Sequence, residues 1–333
     1  MHIPDGYLSP ATCAATYAVT SAFAVYASKK VSKELDEKKI PLIALGSAFS
    51  FVIMMFNIPI PGGTTGHAVG GTLIAILLGP WAAMLAVGLA LLVQALLFGD
   101  GGITTFGANV MAMGVIMPLI GSSTYHLIAS GESSKRRKMA GAFIGSYAGI
   151  VLAALAVAVL LGIQPIVASD SQGVALYSPF PLNVAVPVMM FEHLLFFGFV
   201  EAFATVLVLN YLLSFGMRPD QGPGLPRKLG YLVVSLVLLS PLGIIVPAMA
   251  NAGGAWGEWG SDELREVAGF IPQGLARLEK AWKAPLPDYI LPAGPQEGLL
   301  WQVLWYVLCG AIGIVLAGGA VMSLRLLKRR TNA

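Results

Sequence analysis

The sequence predicts an all-α fold: a polytopic integral membrane protein of about nine transmembrane helices, arranged as seven plus two. Three observations carry that expectation. Of 333 residues, 56% are apolar and only 11% are charged, less than half of the roughly 25% found in soluble domains. The mean hydropathy is +0.77, too apolar for a surface that must face water on all sides. Long apolar runs alternate with short polar segments, and most of the 20 Lys and Arg residues gather in a few of those segments.

The runs lie at 7–27, 40–58, 81–98, 106–128, 139–161, 185–215, 229–250 and 299–324, with a short one at 67–78. The short run stops at Gly79-Pro80. Such a step breaks a helix and can open the next one, so a tight hairpin is expected there. Charge placement requires the same break. Lys29, Lys30, Lys33, Lys38 and Lys39 follow the first run, and Lys135, Arg136, Arg137 and Lys138 precede the one at 139. Arg218, Arg227 and Lys228 follow the long run at 185–215, the seventh when the short one is counted, and Arg325, Lys328, Arg329 and Arg330 close the chain. The positive-inside rule puts all four clusters in the cytoplasm. They share one side only if the chain turns at Gly79-Pro80, which leaves the N-terminus outside and the C-terminus inside. The opening Met1-His2-Ile3-Pro4-Asp5 lacks the positive n-region of a signal peptide, and no small-residue cleavage site follows, so the first span is expected to stay.

Residues 57–66, Asn-Ile-Pro-Ile-Pro-Gly-Gly-Thr-Thr-Gly, are too irregular for a helix and too uncharged for an ordinary surface loop. Non-helical backbone at membrane depth is tolerated where protein buries it, so a re-entrant or capping loop ending at His67 is expected. The one large polar segment, 251–296, holds Trp256, Trp259, an amphipathic stretch at 262–267 and a closing Pro287-Asp288-Tyr289. It suits a small outer domain or an interfacial helix. Residues 217–228, rich in Gly and Pro, read as a cytoplasmic linker. The chain then divides into a seven-helix domain over 1–216, the linker, and a two-span module over 229–333 with an outer loop at about 251–298.

Several functions are disfavoured by what is missing. No phosphate loop of the form Gly-x-x-x-x-Gly-Lys-[Ser/Thr] occurs, so ATP hydrolysis is not expected here, and no His-Glu-x-x-His zinc motif occurs. No basic patch with interleaved aromatics suggests a nucleic-acid partner; the expected partner surface is lipid. Cys13 and Cys309 stand singly in apolar runs and read as core residues. The methionines, Met54, Met55, Met111, Met113, Met117, Met189 and Met190 among them, read as packing.

The four histidines are the scarce chemistry. The Met1 α-amine, the His2 backbone amide and the His2 imidazole can all reach one ion, leaving one in-plane position for another imidazole. Square-planar nitrogen ligation suits Ni(II) or Cu(II), and His67, ending the irregular loop on the same face, is the natural fourth donor. Spacing alone favours a different reading, a frayed terminal His2 with His67 as a satisfied core histidine. Glu192, His193 and Glu201 form a second group in the 185–215 span, where ionisable side chains serve function or a packing-critical contact. They leave room for an ion-coupled secondary transporter of a divalent cation, or for an intramembrane enzyme. Gln94 and Asn109 flank the Gly99-Asp100-Gly101-Gly102 turn as interhelical hydrogen-bonding groups.

At these residues the sequence resembles a known family. The decapeptide Met-His-Ile-Pro-Asp-Gly-Tyr-Leu-Ser-Pro (Met1 to Pro10) resembles the start of the nickel/cobalt substrate-capture subunits of energy-coupling-factor transporters, the CbiM/NikM family. So do Gly62-Gly63-Thr64-Thr65-Gly66-His67, the run from Gln94 to Gly102, Phe106-Gly107-Ala108-Asn109, and His193 followed by Glu201. The resemblance implies a seven-span subunit whose Met1 amine, His2 amide and imidazole, and His67 imidazole bind Ni(II) or Co(II) as the transported substrate. Thr65, Gly66, Gln94, Asn109, His193 and Glu201 are its supporting residues, and no organic cofactor is expected. It further implies a prokaryotic plasma membrane, a transmembrane coupling (T) subunit and separate ATPase (A) subunits. The tail from Leu229 resembles the family's two-span auxiliary subunit, of the NikN/CbiN type. Its Pro-Asp-Gly-Leu-Glu signature survives only in part, as Ser261-Asp262-Glu263-Leu264-Arg265. Because the amine must be deprotonated to ligate, binding is expected to weaken as pH falls.

Overall fold

The structure, a computed structural model, describes residues 1–34, 39–131, 133–214, 224–291 and 298–331. It is a helical bundle with one small hairpin. α1 (Pro10–Glu34) starts on a proline, whose fixed φ suits a first turn. α2 (Lys39–Met54) leads into the antiparallel pair β1 (Ile58–Ile60) and β2 (Thr64–Gly66), registered Ile58 to Gly66. α3 (Gly71–Leu78) and α4 (Pro80–Val93) meet at Gly79, whose φ of 87° reverses the chain, with Pro80 opening the second helix. The expected break is there.

α4 runs on through a π-turn, Gln94–Phe98. α5 (Phe106–Asn109), a π-stretch Val110–Ile116 and α6 (Met117–Ile128) form one continuous rod. α7 (Lys135–Gly162) is capped by the Ser134 side chain, which accepts from the Arg137 amide, and α8 (Gln164–Val167) is a single turn. α9 (Leu182–Glu192), the π-turn His193–Phe197 and α10 (Gly198–Ser214) make a second rod. The tail contains α11 (Gly224–Leu239), α12 (Leu242–Met249), α13 (Ser261–Ala268), α14 (Gln273–Leu278) and α15 (Leu299–Thr331). Part of the expected linker, 217–223, lies outside the described residues; from Gly224 on the chain is helical.

Six helices among the described residues are long and apolar enough to cross a membrane: Pro80–Phe98, Phe106–Ile128, Lys135–Val167, Leu182–Ser214, Leu229–Met249 and Leu299–Ser323. They match six of the expected runs. The other three differ from the sequence pattern for separate reasons. α1 is long, but threonines dilute its apolar surface; Thr20 spends its hydroxyl on the Gly107 carbonyl at 2.7 Å. α2 ends at Met54, where the chain leaves for the hairpin. α3 has eight residues, about 12 Å of helix against a hydrocarbon core of about 30 Å. The backbone that precedes it, from Thr65 to Gly70, is buried. The segment expected to be irregular is therefore a short ladder followed by buried loop.

Small residues bring the helices together. Gly141, Gly145 and Gly149 recur every fourth residue and lay one stripe of α7 on α6, as such stripes do between membrane helices. A β-carbon at Gly145 would fall 2.5 Å from the Gly121 carbonyl. The tail is not a separate body: α11 and α15 lie against α2, and the Tyr306 hydroxyl donates to the Met55 carbonyl at 2.8 Å. Both cysteines are buried and unpaired.

Candidate metal centre

The first ten residues do not fray. Ile3, Tyr7 and Leu8 are as buried as any core side chain, and Met1 and His2 are only 8% and 3% exposed. Asn109 clamps Ile3 from both sides: the Ile3 amide donates to its Oδ1 at 2.8 Å, and its Nδ2 donates to the Ile3 carbonyl at 3.1 Å. The Gly102 amide and the Thr105 hydroxyl donate to the same carbonyl. One step on, Asp5 accepts from the Ile103 and Thr104 amides at 3.1 and 2.7 Å. This contact needs a glycine at 102, where a β-carbon would sit 2.4 Å from the Asp5 nitrogen. Tyr7 donates to the Trp259 carbonyl at 2.8 Å, and the Ser9 amide donates to Gln164 at 2.9 Å. With residues 3, 5, 7 and 9 all anchored, Met1 and His2 are held in place.

His67 arrives from the other side, at the end of the hairpin. Its Nδ1 lies 3.1 Å from the Ala68 carbonyl. A carbonyl only accepts, so that nitrogen carries the proton and Nε2 offers its lone pair. Nε2 lies 3.3 Å from His2 Nδ1, with the two rings 5.0 Å apart and tilted by 35°. Two nitrogens bound in adjacent positions at about 2 Å from one ion would be about 2.8 Å apart, so a small shift suffices to close on a metal. Among the described residues nothing accepts a hydrogen bond from the His2 amide.

Two carboxylates complete the cluster. Glu258, from the tail, holds the Met1 amine at 2.9 Å. Asp100 lies 3.0 Å from His2 Nδ1. One ligand atom each from His2, Asp100 and Glu258 falls within 4.8 Å of the others. Burial alone would raise the Asp100 carboxyl, but His2, His67 and the Tyr289 hydroxyl together hold it well below the usual carboxylate range. The Tyr289 hydroxyl, pushed up by burial and by Asp100 itself, stays protonated and donates to Asp100 at 2.6 Å. Gln94 Nε2 donates to Asp100 at 3.1 Å and to Tyr289 at 3.3 Å.

The structure separates the residues that the sequence groups along the 185–215 span. Glu201, fully buried, accepts from the Val69 amide at 2.7 Å and from the Gly70 amide at 3.1 Å, so it satisfies the broken backbone behind His67. His193 bonds through Nδ1 to the Met189 carbonyl at 2.9 Å and packs on Phe197, whose ring abuts Gly66. Glu192 faces a cavity elsewhere. No hydrogen bond joins the three among the described residues, so no proton relay is assembled. Thr65 donates to the Gly253 carbonyl at 3.4 Å, tying the hairpin to the tail. Gln94, Asn109 and His193 each begin or adjoin a π-segment, a local widening common at functional sites.

Sequence reasoning does not find Glu258, Tyr289 or the direct role of Asp100. Asp100 stands in the Gly-Asp-Gly-Gly turn, where a signal existed. For Glu258 the only hint is its position between Trp256 and Trp259.

Residues 2–220 match the family model CbiM, described as the cobalt uptake substrate-specific transmembrane region. The chain is 44% identical to the fused nickel transport protein NikMN of Rhodobacter capsulatus, with 100% of both chains covered. It is 43% identical to the probable fused nickel transport protein LarMN of Lactiplantibacillus plantarum, covering 83% of this chain and 84% of the relative. A crystal structure of a truncated transition metal transporter superposes with a TM-score of 0.61 at 52% identity, covering 65% of this chain and 99% of that one.

Proposed function

Because the chain belongs to the CbiM family of cobalt uptake substrate-specific transmembrane regions, we propose that it captures Ni(II) at the outer face of a prokaryotic plasma membrane for import. The donors are the Met1 amine, the His2 amide and Nδ1, and His67 Nε2. The observation that carries this reading is the convergence of two buried imidazoles, 3.3 Å apart, beside a buried terminal amine. A planar set of four nitrogens favours Ni(II) over Co(II), and two relatives matched along most of the chain are named as nickel transport proteins.

Import itself needs more than capture. The chain acts as the substrate-specific component of an ATP-driven system, with hydrolysis on ATPase subunits and inward release through a transmembrane coupling subunit. In this reading residues 1–216 form the capture domain and 229–333 an auxiliary module, with nine spans, the N-terminus outside and the C-terminus inside. The ion-coupled alternative loses support because Glu192, His193 and Glu201 lack a connecting hydrogen bond among the described residues.

The test is a parallel titration of the purified chain, with its native N-terminus, by Ni(II) and Co(II), followed by visible absorption. One equivalent of Ni(II) giving a planar spectrum, with Co(II) weaker, is expected. One extra residue ahead of Met1 displaces the amine and is expected to abolish tight binding. An extended chain that binds Ni(II) as well as the native one would remove Met1 from the site.

A further inference from the structure

A cavity of about 500 Å³ lies between the hairpin, α9 and the tail. It can hold a hydrated cation: six waters at about 30 Å³ each take up roughly 180 Å³. Its lining includes Thr64, Val188, Gly254, Trp256 and Trp259, and the only charged side chain among the lining residues is Glu192. Glu192 is 5% exposed and makes no hydrogen bond or ion pair among the described residues. A carboxyl in apolar surroundings without a partner is costly, and here it faces a space from which a partner can come.

The opposite wall is the turn that carries Trp256 and Trp259. It is fixed to the hairpin by the Trp256 amide, which donates to Thr64 Oγ1 at 2.9 Å. Between those two tryptophans stands Glu258. Its side chain is 21% exposed, while the Met1 side chain whose amine it holds is 2% exposed. The Met1 side chain is thus closed off, and the Glu258 side chain that holds its amine is not.

We propose that this cavity is a vestibule for the hydrated divalent cation, in which Glu192 holds the ion first and Glu258 passes it across the tryptophan turn to Met1, His2 and His67. The inference rests on the capture reading above and adds a route to it. A residue on a route lowers the barrier in both directions, so its loss slows binding and release alike and leaves the affinity in place. A residue that shapes the final site changes affinity instead.

Stopped-flow absorbance on the full-length chain with its native N-terminus separates the two. Nickel chloride is mixed in to read association, and excess EDTA to read release. Glu192→Gln is expected to slow both by a similar factor, about tenfold at low salt, as befits the loss of a steering charge. Gly254→Trp tests the space rather than the charge. A β-carbon there meets only Trp259 Cδ1, at 3.9 Å, so the indole can occupy the cavity, and it too is expected to slow both steps. Wild-type association in either variant, or slowed association with unslowed release, overturns the vestibule. If the unmutated chain takes up no Ni(II), the capture reading fails instead, and the two failures are distinct.

Discussion

Asn109 spends both ends of its amide on one residue, Ile3, and so fixes the two residues before it. Residues that orient metal ligands without touching the ion typically contribute 10- to 100-fold in affinity. Asn109→Ala is therefore expected to weaken Ni(II) binding by about that much, with one equivalent still bound at saturation, as equilibrium titration would show. Tyr289→Phe removes one donor from Asp100. A net hydrogen bond is worth about 1 kcal/mol, so a loss of about fivefold in affinity is expected in the same titration. The grouping of Met1 and His2 was open to view because an amine, an amide and an imidazole at the start of a chain are neighbours, whereas His67 was singled out as the end of the irregular loop and by the resemblance. Asp100, Glu258 and Tyr289 reach the site through tertiary folding from three separate segments, and no spacing rule records that.

At the scale of elements, the hairpin shows what the sequence offered and what was passed over. Its strands carry Ile58, Ile60, Thr64 and Thr65, and the turn holds Gly62 and Gly63 with φ of 108° and 81°. β-branched residues around a Gly-Gly pair are a hairpin signal, here interleaved with Pro59 and Pro61, which break the regular strand pattern. The Gly79-Pro80 break was legible because proline and glycine act on the backbone directly. The brevity of α3 was not, since its apolar run extends back over the buried loop that Glu201 supports. At the α6–α7 contact, Gly145→Leu would drive a side chain into the Gly121 carbonyl. Overpacking of this kind costs about 1–3 kcal/mol, and a lower midpoint in thermal denaturation in detergent is the expected sign.

At the scale of the whole molecule, composition and charge clusters gave the membrane class, and six apolar runs match helices of spanning length. The packing of α11 and α15 on α2 was hidden, because an apolar helix face packs against lipid and against protein alike, so hydropathy does not name the partner. A ligand that binds only the folded chain stabilises it by mass action, about 2.7 kcal/mol at a hundredfold excess over Kd. Ni(II) is expected to raise the thermal midpoint, Co(II) to raise it less at equal concentration, and a chain extended ahead of Met1 to respond to neither.

The embedding of the N-terminus in the core has a consequence for synthesis. Residues made first cannot reach all their native partners until late, because Asn109, Gln164, Glu258 and Trp259, which receive the opening segment, leave the ribosome after it. The terminus must wait, unengaged, while nearly the whole chain is inserted. For the proposed site, any formyl group has to be removed and the methionine itself spared during that wait. In the proposed capture site the processing history of a single amine thereby becomes part of the recognition chemistry, and a start shifted by one codon is expected to leave the hydropathy plot unchanged while removing a proposed donor.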